Sequence, residues 1–131
     1  MALIDNLTVF IKNSNECKLE SEIDKDTIQF SFKELQFVVS IEESNNEYAY
    51  MRIFLPKILE ISTEGQQHIE HILLELTRDI KIIKGVIMPD KHVWLVYEQF
   101  VASENELENM FAKGIALLSA GYNYFNKKKQ E

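Results

Sequence analysis

The chain has 131 residues, which fits one domain spanning 1–131, and its 46% hydrophobic content is enough to fill a core. It carries 14 Lys and Arg against 21 Asp and Glu, a net charge of −7, which argues against nucleic-acid binding because phosphate neutralisation needs clustered cations. Four Gly and two Pro rule out collagen-like and linker-like chains, and a single cysteine, Cys17, forbids an internal disulfide or a Cys-only metal centre.

The first segment, Met1-Ala2-Leu3-Ile4-Asp5, has no basic stretch and meets a carboxylate at once, so it does not read as a secretory signal. No apolar run approaches the roughly 18 residues that a membrane span needs. The expectation is a cytoplasmic protein without membrane association. Leu3, Leu7, Phe10 and Ile11 recur at helical spacing and predict a first helix over residues 3 to 13. From Glu16 to Asp26 the chain turns acidic, with five carboxylates and two lysines, and reads as a solvated connection with a weak strand around Lys18 to Ile23.

Three strands follow. Ile28, Phe30 and Phe32 alternate with polar residues, as do Phe37, Val39 and Ile41, with a hairpin at Lys33 to Leu35 and a turn at Glu43 to Glu47. The strand from Tyr48 to about Leu55 differs, because Ala49, Met51, Ile53 and Leu55 share one face while Tyr48, Tyr50 and Phe54 take the other. Pro56 ends this strand or bends it toward Ile61. Thr63 and Gln66 are spaced as a capping box for a second helix, whose stripe is Ile69, Ile72, Leu73 and Leu76. Leu74 lies off that stripe.

A second hairpin joins Ile80–Met88 to His92–Val101 through Pro89-Asp90-Lys91. Val93, Leu95 and Tyr97 oppose Trp94, Val96 and Phe100, so again both faces are apolar. Ser103 and Glu106 suggest a capping box for a last helix running to about Phe125, with Lys127 to Lys129 at its C-terminal end, where the helix dipole favours cations. The predicted class is α+β, in the order α-βββ-α-ββ-α, with a mostly antiparallel five-stranded sheet packed by helices.

In this element order, and in the segment Leu76 to Glu98 (LTRDIKIIKGVIMPDKHVWLVYE), the chain resembles the YbjN-type proteins, bacterial sensory transduction regulators with the fold of type III secretion chaperones. The features that match are the helix end at Leu76, the Lys84-Gly85-Val86 step, the acidic turn at Asp90, the apolar strand from Val93 and the final helix from Ser103. The resemblance implies a small acidic homodimer that binds other polypeptides and has no catalytic site.

No constellation for catalysis stands out. His68 and His71 lie near Glu64 and Glu75, but their spacing is not the i, i+4 pattern of zinc helices, and neither metal nor cofactor is expected. Cys17 sits between Glu16 and Glu20, which disfavour a thiolate. More informative is apolar surface in excess of what a core needs. Tyr48, Tyr50, Phe54, Trp94, Val96 and Phe100, with Leu74 and the last helix's Ala112, Ala116 and Ala120, form the expected partner or dimer surface, unless the second helix covers the sheet aromatics. A client polypeptide is the first expectation. A small molecule or signal held in a pocket of the same aromatics is the alternative.

Overall fold

Among the described residues, six strands and three α-helices build the fold. A computed structural model describes residues 2–44 and 48–131, so Asn45 to Glu47 of the expected turn lie outside the described residues. α1 (Leu3–Asn13) is followed by β1 (Cys17–Asp24), β2 (Thr27–Phe32), β3 (Leu35–Glu43) and β4 (Ala49–Glu60). Then come α2 (Gln66–Asp79), β5 (Ile83–Ile87), β6 (His92–Val101) and α3 (Glu104–Lys129). The sheet is antiparallel in the order β1-β2-β3-β4-β6-β5.

The α+β class matches the sequence reading, but the sheet has six strands rather than five. The acidic stretch forms a full edge strand, not a connection. β1 needs no buried face of its own, because its backbone pairs with β2 while Ser21 to Asp24 stay exposed. Asp24 Oδ1 accepts from the Asp26 N–H at 2.8 Å and closes the β1–β2 turn.

β4 does not end at Pro56. It continues to Glu60 through a register shift between Leu55 and Leu59, with Lys57 at φ 52°, so two extra residues absorb the proline instead of breaking the strand. Two helix caps also differ from expectation. Before α2 the cap is Ser62, whose Oγ accepts from the Gly65 N–H at the head of a 3₁₀ turn, rather than Thr63. At α3 neither half of the expected box forms: the Ser103 side chain makes no cap bond, and Glu106 reaches past Ser103 to accept from the Ala102 N–H at 3.1 Å.

All three helices lie on one face of the sheet. α3 rests on β6, β4 and β5, α1 flanks it over β1 to β3, and α2 covers β5. Between them Phe30, Phe37, Met51, Ile53, Leu95, Tyr97, Phe111 and Phe125 are fully buried, each worth about 1.5–3 kcal/mol of transfer free energy. Phe30 stacks on Phe37 with ring centres 5.3 Å apart, and Phe111 closes on Phe30 at 5.1 Å.

Gly114 and Gly121, seven apart on α3, let the helix lie close to the sheet. A Cβ at Gly121 would stand 2.5 Å from Ile83 Cδ1. No helix of the described residues is long and apolar enough to cross a membrane.

Candidate functional site

Because every helix packs on the same face, the other face of the sheet is left without a helix. Strand alternation decides what stands there. Ala49, Met51, Ile53 and Leu55 of β4 point into the core, so Tyr50, Arg52 and Phe54 point out. On β6, Val93, Leu95 and Tyr97 point in, and Trp94, Val96, Glu98 and Phe100 point out.

The registers set these residues side by side. Tyr50 lies opposite Phe100, Arg52 opposite Glu98 and Phe54 opposite Val96. On one flank Val38 of β3 pairs with Phe54, and on the other Val86 of β5 pairs with Trp94. The aromatic rings form two clusters. Phe100 meets Tyr48 edge-on and Tyr50 at a tilt, both with ring centres 5.1 Å apart, while Phe54 meets Trp94 edge-on at 5.7 Å.

A small polar network separates the clusters. Tyr50 Oη donates to Glu98 Oε2, whose other oxygen holds Lys84 Nζ at 2.6 Å. The Arg52 guanidinium lies over the Tyr50 ring at 5.0 Å. These side chains pair across β4, β5 and β6.

The expected surface residues therefore separate into three places. Tyr48, Tyr50, Phe54, Trp94, Val96 and Phe100 gather on the open face. Phe100 and Tyr48 are more than half exposed, whereas Val96 is buried by its own neighbours and supports the face without presenting itself. Leu74, 71% exposed, stands on the outer side of α2 at the β5 edge. Ala112, Ala116 and Ala120 are exposed on α3, on the helical side of the molecule. α2 does not cover the aromatics, because its stripe of Ile69, Ile72, Leu73 and Leu76 is used on the other face.

Val38, Val86, Arg52 and Glu98 belong to the face but were not singled out from sequence. Their signal was parity with Tyr50 and Trp94 along each strand, which becomes readable only once the neighbouring strands are known.

Of the aromatics, Tyr48 borders a cavity of about 210 Å³ with Leu3, Glu43 and Val101. An apolar cavity of about 230 Å³ lies elsewhere, between α1 and α3, with Phe10, Cys17, Phe32, Phe111, Ile115 and Ala116 among its walls. Burial pushes the Cys17 thiol pKa up, the Ser14 hydroxyl opposes this, and Glu16 adds to it, so the thiol is kept protonated. His71 pairs with Glu75 at 2.7 Å. Among the described residues no three His, Cys, Asp or Glu side chains are grouped to hold a metal ion.

No protein-family model matches the chain, and no curated protein is significantly similar to it.

Proposed function

We propose that the chain is a non-catalytic polypeptide-binding protein of the secretion-chaperone-like fold, related to the YbjN-type regulators, that works in the cytoplasm as a homodimer. The observation that carries this reading is the sheet face of β4 and β6, aromatic on its outer side and covered by no helix. Exposed apolar surface of this kind marks partner sites on small proteins. Tyr, Trp, Phe and Arg are the residues most used at such sites, and here they stand on paired strands that need no rearrangement to receive a partner.

The Trp94 indole N–H is buried beneath the face and has no hydrogen-bond partner among the described residues. The polar network at the centre of the face gives a client register. Tyr50, Arg52, Lys84 and Glu98 offer donors and acceptors between two apolar clusters, which suits a segment with a polar residue between two large apolar ones.

Panning a random peptide library on the protein tests this. Enriched peptides should carry spaced aromatic or aliphatic residues and should bind Tyr50→Ser and Phe100→Ser about tenfold or more weakly, a loss typical of interface anchors. No enrichment, or peptides indifferent to both variants, contradicts it. The cavity between α1 and α3 favours a second reading, a small apolar ligand held beside Cys17. A thermal-shift response to small hydrophobic compounds that vanishes in Ala116→Phe would point there.

A further inference from the structure

The apolar cavity between α1 and α3 is walled by rings that the core holds in place. Phe111 packs on the buried Phe30 with ring centres 5.1 Å apart, Phe32 meets Phe37 at 6.4 Å, and Phe10 stands edge-on to Phe111 at 6.1 Å. Ile115, also buried, is a further apolar wall. These walls are formed before a ligand enters, which lowers the ordering cost of binding. Ala112 and Ala116 are exposed at the rim, and their small side chains leave the entrance open.

Volume sets the size of the occupant. An apolar cavity of about 150 Å³ is enough to take benzene. At about 230 Å³ this one holds such a ring and about three further heavy atoms.

The polar groups decide what those further atoms carry. The Ser14 hydroxyl oxygen accepts from the Glu16 N–H at 3.1 Å and the Cys17 N–H at 3.2 Å, so it is used in ordering the start of β1. The Cys17 thiol, held protonated by burial, brings no charge. Glu16 is the one charged residue among the walls; it is exposed, and its carboxylate has no hydrogen bond or ion pair among the described residues. Lys33 Nζ stands 5.2 Å over the Phe32 ring, is not a wall, and leaves that carboxylate unpaired.

We propose that this cavity binds a small primary arylalkyl amine, with its ring among Phe10, Phe32 and Phe111 and its ammonium on the Glu16 carboxylate. The inference rests on the second reading above, a small apolar ligand beside Cys17, and adds a cationic head group to it. Three aromatic walls favour a ring, which packs edge or face against each of them. The unpaired carboxylate attracts a cation and repels an anion, and the chain's net charge of −7 acts in the same direction. Because Glu16 is exposed, the ion pair is screened by water, so it sets selectivity among ligands more than it sets affinity.

Calorimetric titration of the full chain with 2-phenylethylamine, 2-phenylethanol and phenylacetate separates ring from head group, since the three share a ring and differ in charge. The amine should bind in the millimolar range or tighter, about fivefold more tightly than the alcohol, with the carboxylate weakest. Glu16→Gln, at an exposed position, should bring the amine to the alcohol's affinity and leave the alcohol unchanged. Cys17 is the single cysteine, so its alkylation by N-ethylmaleimide reports this cavity alone. The amine should slow that alkylation and leave the emission of Trp94, on the open sheet face, unchanged.

If the alcohol protects Cys17 but the amine binds no more tightly, or is indifferent to Glu16→Gln, the amine proposal is overturned and the cavity reading stands. If neither compound protects Cys17, or if binding survives Ala116→Phe, both are overturned. A tighter carboxylate would give the head group to Lys33 and overturn the proposal as well. So would a shift of Trp94 emission without protection of Cys17, which would place the amine on the aromatic face.

Discussion

Gly114 of α3 rests against Tyr97 of β6 so closely that a Cβ at Gly114 would stand 2.7 Å from the ring Cδ1, and equally close to Ile53 Cδ1. The apolar layer of the protein is set by this approach. Gly114→Ala should therefore destabilise, although alanine suits a helix better. Overpacking costs about 1–3 kcal/mol and helix propensity returns about 1 kcal/mol, so a net loss of up to about 2 kcal/mol is expected in urea unfolding. A stabilised variant would mean that α3 can lift from the sheet at little cost.

Ile82 has φ 73°, a left-handed backbone that a β-branched residue adopts at a cost of about 1–2 kcal/mol. Glycine relieves that strain but gives back about 0.5–1 kcal/mol in chain entropy. Ile82→Gly should raise stability by about 0.5–1 kcal/mol in urea unfolding. A fall in stability would show that the half-exposed side chain packs more than its exposure suggests.

Asp79 and Tyr124 tie the end of α2 to α3. Tyr124 Oη donates to Asp79 Oδ2 at 2.7 Å, while Arg78 Nε reaches Oδ1 at 2.7 Å. The Arg78 guanidinium, then the Tyr124 hydroxyl, hold the Asp79 carboxyl down to about 2, and the same hydrogen bond pushes Tyr124 up to about 12.

With a folded value below the usual 3.8, Asp79 contributes stability that is present above that value and lost as pH falls toward 2. With a folded value above 10, Tyr124 contributes stability that is present below 10 and lost as pH rises toward 12. NMR titration of Tyr124→Phe should show the Asp79 value rising but remaining below 3.8, because the Arg78 bond stays. An unchanged value would show that the tyrosine bond does not form in solution.

Phe100 and Phe111 make a contrast within one residue type. Phe111 is fully buried and Phe100 is 56% exposed. Phe111→Ala should cost about 3–5 kcal/mol of stability, and Phe100→Ser, which loses only its contacts with the Tyr48 and Tyr50 rings, about 1–2 kcal/mol. A large loss at Phe100 would place the aromatic cluster in the core and remove the proposed face.

Much of this was readable from residue order. Alternation at Ile28, Phe30 and Phe32, and again at Val93, Leu95 and Tyr97, fixed which side chains enter the core. The helical spacing of Ile69, Ile72, Leu73 and Leu76 fixed the buried stripe of α2. β1 was legible only as a weak strand around Lys18 to Ile23, because its outer residues are exposed on both faces and its existence depends on backbone pairing with β2.

Whether α2 covers the aromatics was left open, because both faces of β4 and β6 are apolar; the seating of Gly85 against Leu73, and of Gly114 and Gly121 against Tyr97 and Ile83, shows that α2 and α3 both take the Tyr97 side. Ala112, Ala116 and Ala120 were grouped with the aromatics from sequence, yet α3 holds them on the opposite side of the molecule.

Trp94 is the protein's single tryptophan and lies on the proposed partner face, so its fluorescence reports that surface alone. Titration with a library-selected peptide should shift its emission to shorter wavelength and reduce its quenching by acrylamide, with both changes absent in Phe100→Ser at the same peptide concentration. A peptide that binds, as judged by calorimetry, while leaving Trp94 emission and quenching unchanged would contradict the assignment of the β4–β6 face as the binding site.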